Sequence, residues 1–144
     1  MSTLVVETIK HTNDTTLFAS DTSGQLTVQG EGTATTNLQQ GLAKVWIHHN
    51  QVSGHSIYDS FNVSSLSDAS GGHTVVSFTN NMANNDYSGS HHTNGHASAD
   101  NFNIGGPGAL INRVTSSMDH RVYVAGTAYI DAILNDNTVH GDLA

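Results

Sequence analysis

Between His55 and Tyr87 side chains alternate with a period of two, and that alternation most narrows the folds open to this chain. Ile57, Asp59, Phe61 and Val63 fall on one side of an extended backbone, with Tyr58, Ser60, Asn62 and Ser64 on the other. Such a period marks a strand with one face buried. From His73 to Asn80 the pattern recurs, Thr74, Val76 and Phe78 facing away from Val75 and Ser77. Between the runs, Ser67-Asp68-Ala69-Ser70-Gly71-Gly72 supplies turn formers and residues tolerant of positive φ. The stretch reads as a β-hairpin with a moderately long loop.

The rest of the chain follows the same rule. Ala43, Val45 and Ile47 alternate with Lys44, Trp46 and His48 in a first domain strand, and Trp46, the one tryptophan, is expected in the core or at a subunit seam. Phe61, Val63, Val76, Phe78 and Tyr87 complete the expected core. Residues 80–86 read as a loop, Tyr87 to Thr93 as a polar strand, and His91 to Asp100 as an exposed loop or weak edge strand. Gly105-Gly106-Pro107-Gly108 is a break. Strands follow over 109–115 and, as one long run, 121–133; the tail from Leu134 shows no clear period. Short strands, a single proline and almost no helical periodicity predict an all-β chain, specifically an antiparallel, jelly-roll-like β-sandwich.

Residues 1–36 differ in character. Leu4 to Ile9 is a short alternating run, and Thr16–Ala19 and Gln25–Val28 flank an Asp21-Thr22-Ser23-Gly24 turn. These apolar residues are too few for a core, and an isolated hairpin is marginal in water. The expected organisation is an extended N-terminal β arm over 1–36, a connector over 37–44 and a sandwich over 45–144. Leu4, Val6, Ile9, Leu17 and Phe18 are the expected attachment residues. A single helical turn near Thr36 to Gln40 is expected, capped by Thr36 or Asn37 and broken at Gly41.

Charge removes one class of partner. Four basic residues against twelve acidic ones make no basic footprint, so no nucleic acid is expected. Without cysteine there is neither a disulfide framework nor a thiolate metal site. No apolar run approaches the roughly 20 residues that span a bilayer, and Met1-Ser2-Thr3-Leu4 opens no signal peptide, so the expectation is a soluble protein with no membrane partner.

Ten histidines raise the question of a metal. Adjacent pairs such as His48-His49 and His91-His92 point to opposite faces of a strand and cannot chelate together. His92, Asn94 and His96 share a parity within a stretch that reads as loop, and a three-fold axis would gather one histidine per chain. The expectation is solvated or interfacial histidines, no metal and no cofactor. Histidines at a subunit seam would alternatively charge in mild acid and repel. Catalytic patterns are thin: no nucleophile elbow is present, and Asp59, Asp68 and Asp86 fall in a strand and two turns rather than as a spaced acid pair. Asn13-Asp14-Thr15 and Asn62-Val63-Ser64 match the glycosylation acceptor pattern.

Four segments carry a resemblance. They are Gly41-Leu42-Ala43-Lys44-Val45-Trp46, Asp59-Ser60-Phe61-Asn62-Val63-Ser64-Ser65-Leu66-Ser67-Asp68, Gly72-His73-Thr74-Val75-Val76-Ser77-Phe78-Thr79, and Met82 with Asp86-Tyr87. Together they resemble a β-rich surface domain of virion structural proteins of tailed bacteriophages, especially of aquatic and cyanobacterial phages. Leu4 to Ile9 resembles the docking arm that begins many such fibre and appendage proteins. The likeness spans about residues 1 to 87; the His-His after Trp46 departs from it. What it implies is a non-enzymatic virion building block, commonly a homotrimer, with the major capsid protein or other virion proteins as partners. No shaft repeat or heptad stretch is visible, which favours a capsid decoration (cement) protein. The alternative is a tail-appendage tip that meets host glycan through Tyr87, His91, His92, His96 and Phe102.

Overall fold

A computed structural model of the chain describes residues 8–10, 16–20, 26–29, 35–52, 54–96, 109–124 and 128–144. The chain divides into two compact units, 1–42 and 43–144. Among the described residues all sheets are antiparallel, and the fold is all-β apart from one helical turn.

The first unit is a four-stranded meander of β1 (Thr8–Lys10), β2 (Thr16–Ser20), β3 (Leu26–Gln29) and β4 (Thr35–Asn37). The turn α1 (Leu38–Gly41) follows, with Asn37 as its N-cap: the Asn37 Oδ1 accepts from the amides of Gln39 at 2.8 Å and Gln40 at 3.4 Å. Cross-strand register places Ile9, Phe18 and Val28 in one row, with Leu26 two residues from Val28 on the same face.

The second unit holds two four-stranded sheets. One orders β6 (Ser56–Phe61), β5 (Val45–Asn50), β14 (Ala132–His140) and β9 (Ser88–His96). The other orders β10 (Ala109–Val114), β11 (Ser117–Arg121), β8 (His73–Phe78) and β7 (Val63–Ser70). A short pair, β12 (Tyr123–Val124) with β13 (Ala128–Tyr129), stands apart. Val45, Ile47 and Val139 of the first sheet cluster with Val76, Phe78 and Met118 of the second and with Met82 and Tyr87 from the connecting segment. Two sheets sharing one core make a β-sandwich.

Three local devices set this arrangement. Gly71-Gly72 joins β7 to β8, with Gly72 at φ +66°, so the turn occupies two residues. Asn62, at φ +59°, breaks the chain between β6 and β7 and passes it from one sheet to the other. Its amide donates to the Lys44 carbonyl at 3.0 Å and the Asn80 carbonyl at 3.1 Å, and its Oδ1 accepts from the Asn80 N–H at 2.7 Å. Gly89 leaves the space that Leu110 fills: a Cβ there would lie 2.1 Å from Leu110 Cδ1.

Several expectations are corrected. The hairpin partner of β8 is Val63–Ser70 rather than residues 57–63, because the backbone breaks at Asn62 and β6 pairs with β5. Ser67 to Ser70 therefore lie in a strand, not a loop. The single run over 121–133 is instead the end of β11, the β12–β13 pair and the start of β14. The tail without a period is β14, central in its sheet. Val76, Phe78 and Tyr87 are buried and Val63 packs against them, but Trp46 and Phe61 are 36% and 50% exposed. Strand parity decides: Val45, Ile47 and His49 take the inner face of β5, leaving Trp46 and its register partner Phe61 outside.

Candidate functional site

The sandwich interior changes character along its length. Across the first sheet, Val45 aligns with Val139 and Gly89, then Ile47 with Asn137 and His91, then His49 with Asn135 and Thr93. The second sheet matches this progression, with Met118, Val76 and Leu66 in one row and Leu110, His120, Thr74 and Asp68 in the next. One half of the core is hydrocarbon. The other is built from imidazoles, amides and hydroxyls.

Part of this polar half is fully bonded. Gln51 donates through Nε2 to the Thr74 hydroxyl at 2.9 Å, and its Oε1 accepts from the Ala132 N–H at 3.0 Å. Asn135 donates to the Ala132 carbonyl at 3.1 Å. The Thr93 hydroxyl donates to Asn135 Oδ1 at 3.1 Å and is hydrogen-bonded to His91 Nε2.

The remainder is not. Among the described residues, both ring nitrogens of His49, His55 and His120, and both amide atoms of Asn137, are buried without a hydrogen-bond partner. His49 and His120 approach from opposite sheets, edge to face, with ring centroids 5.5 Å apart; His91 lies 3.9 Å from His120. Burial first, then the neighbouring imidazoles, lower the pKa of His49 from 6.5 to about 4 and that of His120 to about 2. Both rings are neutral at physiological pH. Among the described residues, no three histidine or carboxylate side chains are placed to hold a metal ion.

A second feature lies on the outer face of the same sheet. Trp46 aligns with Phe61, and Tyr58, 53% exposed, stacks on His48 with centroids 5.0 Å apart. A register shift in the β5–β6 pairing lies between His48 and His49, opposite Tyr58. Asn50 Nδ2 donates to the Tyr58 hydroxyl at 3.0 Å, and His48 Nδ1 donates to Asp136 Oδ1 at 2.6 Å. Three aromatic rings thus share a pleated surface with Asp59, Asp136 and Asn50, and a hydrogen bond from Asn50 holds Tyr58.

The residues expected from sequence distribute unevenly. Ile9 and Phe18 are exposed on the first unit; Leu4, Val6 and the Leu17 side chain lie outside the described residues, as does Phe102. Tyr87 cannot stack on a ligand. It is 2% exposed, its hydroxyl donating toward the carbonyls of Ser117 at 2.9 Å and Val114 at 3.3 Å. His91 turns inward to His120 rather than toward solvent, because β9 continues as a strand through it; His92 is exposed on the opposite face. The His96 side chain lies outside the described residues. Sequence reasoning missed the interior cluster, although His49 has the parity of Val45 and Ile47. It also missed the aromatic face, since ring size was read as burial.

Comparison with protein-family models, with curated proteins and with solved structures finds no match to this chain.

Proposed function

We propose that this chain is a non-enzymatic structural protein of a tailed-phage virion, a homotrimeric capsid decoration protein whose residues 1–36 form an arm that docks on the major capsid protein or another virion protein. The observation that carries the reading is the apolar face of the first unit. Ile9, Phe18 and Leu26 are 50%, 37% and 40% exposed on one side of a small separate sheet. A meander of that size gains stability by covering such a face, and strand addition along its edge offers a partner both hydrogen bonds and apolar area. The sandwich then forms the body that faces outward. The jelly-roll-like wrapping belongs to the same reading. The sandwich supports it, while three hairpins that each stay within a single sheet (β5–β6 in one, β7–β8 and β10–β11 in the other) depart from a strand-by-strand alternation. Deleting residues 1–30 should abolish binding to the particle while the sandwich remains folded by circular dichroism; retained binding would overturn the assignment.

The exposed rings of Trp46, Tyr58 and Phe61 favour a second reading, a tail-appendage tip that binds host glycan. Aromatic rings stack on the apolar faces of sugars while nearby carboxylates and amides bond the hydroxyls. Here the platform is the outer face of β5 and β6, not the loop beyond Tyr87. Copy number separates the two readings, hundreds per particle for decoration and a few tens or fewer for an appendage. Loss of retention on immobilised host polysaccharide by Trp46→Ala with Tyr58→Ala would support the second.

A further inference from the structure

The eight unbonded polar atoms in the interior destabilise the closed sandwich, since each buried group without a partner has given up its hydrogen bonds to water. They also share one chemistry. Three of the four side chains are imidazoles, the one side chain whose ordinary ionisation lies just below neutrality.

Among the described residues, the groups packed against His49 and His120 do not provide a counter-charge. His49 is faced by His120 and His91, with His55 and His48 near it; Asp136, the carboxylate acting on it, lies on the other side of β14 bonded to His48. His120 is faced by His91 and His49, with His73 and His55 beyond. Asp119, the neighbour of His120 in sequence, points away and bonds His73 at 3.1 Å and Asn112 at 2.7 Å. Asp68 shares the inner row, but at the exposed edge strand β7, 4.0 Å from His55 and 60% exposed. A proton placed on His49 or His120 would therefore be a buried charge surrounded by other imidazoles.

We propose that the polar half of the sandwich interior is an acid-operated latch: the uncharged rings of His49 and His120, packed with His91 and Asn137, keep the two sheets closed at neutral pH, and a mildly acidic medium favours the parted sheets, in which these rings take up protons. The latch is independent of the virion assignment. It acts within one chain and needs no subunit seam.

The sign follows from linkage. Both rings titrate lower in the folded protein than the ordinary 6.5, so below that pH the unfolded chain binds protons that the folded chain refuses. Stability is full above pH 6.5 and falls as the medium is acidified, toward about 4 for His49 and about 2 for His120. Each ring lowers the folding equilibrium constant by up to about tenfold per pH unit, about 100-fold for the pair. Once the sheets begin to part, the unbonded Asn137 amide and the imidazoles offer water both donors and acceptors, so opening propagates through this half first.

The test is urea unfolding of the full chain from pH 7.5 to 4.5, followed by far-ultraviolet circular dichroism. A folding constant level above pH 6.5 that then falls by more than tenfold per unit supports the latch. A profile flat to pH 4.5 overturns it. The double variant His49→Gln, His120→Asn should flatten the fall, whereas His92→Gln, on the exposed face, should leave it unchanged. An undiminished fall in the double variant overturns the assignment to these rings. If that variant does not fold, nuclear magnetic resonance of the wild-type imidazoles decides. Rings of His49 and His120 that stay neutral until the sandwich opens support the latch; either ring titrating near pH 6.5 in the intact fold overturns it.

Discussion

Gly72 donates its backbone N–H to the Asp131 carboxylate at 2.7 Å, across 59 residues of sequence. The contact ties the β7–β8 turn to the entrance of β14, and the Val122 N–H completes it by donating to the Gly72 carbonyl at 2.8 Å. A Cβ on Gly72 would lie 2.6 Å from the Ile130 nitrogen and 2.7 Å from the carbonyl oxygens of Ile130 and Val122. These are backbone atoms, and φ is positive there. Gly72→Ala should therefore destabilise the fold by about 3 kcal/mol or more. Asp131→Ala, which removes only the acceptor, should cost about 1–3 kcal/mol. Urea midpoints check both, and an alanine at 72 that leaves the midpoint unmoved would contradict the packing.

Asn62 combines a left-handed backbone with four side-chain hydrogen bonds, two to Asn80 as acceptor and two as donor. Asn62→Gly keeps the backbone and loses the bonds; Asn62→Ala loses both. The glycine variant is expected to lose about 2 kcal/mol, and the alanine variant about 1 kcal/mol more. Equal stability of the two variants would show that the positive φ carries no strain. The same bonding engages the asparagine of the Asn62-Val63-Ser64 acceptor pattern.

Phe78 and Phe61 have the same side chain and opposite fates, 6% and 50% exposed. Phe78→Ala should cost about 3–5 kcal/mol by opening a cavity in the hydrocarbon half. Phe61→Ala and Trp46→Ala should each cost well under that, about 1 kcal/mol. Thermal unfolding of the three variants tests the assignment of inner and outer faces.

The Tyr87 hydroxyl is held against two carbonyls, and burial, only partly opposed by Arg113, pushes its pKa up from 10.0 to about 12. Above pH 10 the unfolded chain releases this proton and the folded chain retains it, so stability declines as pH rises from about 10 to 12. Tyr87→Phe should cost about 1 kcal/mol at neutral pH and reduce the alkaline decline. Phenolate absorbance in the wild type, compared with the variant, reports the shift directly.

Strand character was readable along most of the second unit because alternation is local. Pairing was not. Asn62 is a residue type that tolerates positive φ, but alternation alone does not show that it leaves the strand here, where its side chain is bonded to Lys44 and Asn80, 18 residues away on either side. Ser67, Asp68 and Ser70 read as turn because β7 is an edge strand with little to bury. β14 hid for the opposite reason: its inner positions Asn135 and Asn137 are polar, so the strand that crosses the middle of a sheet lacks an apolar period. The imidazole cluster was open to inference only through parity. The histidines at 49, 91 and 120 come from three strands, and only the fold brings them together.

The uneven core gives the sandwich a spine and a fore-edge, as in a book, and the fore-edge is the end expected to open first. The spine is the hydrocarbon end, where Met82 bridges to Leu143 and the Ala83 and Ala144 amides donate to the Asp142 and Asn81 carbonyls at 2.8 and 2.9 Å. The fore-edge is the imidazole end. Amide protons of β14 should exchange in an order that follows this axis, with those beside Asn135 released to deuterium before those beside Val139, although both belong to one continuous strand.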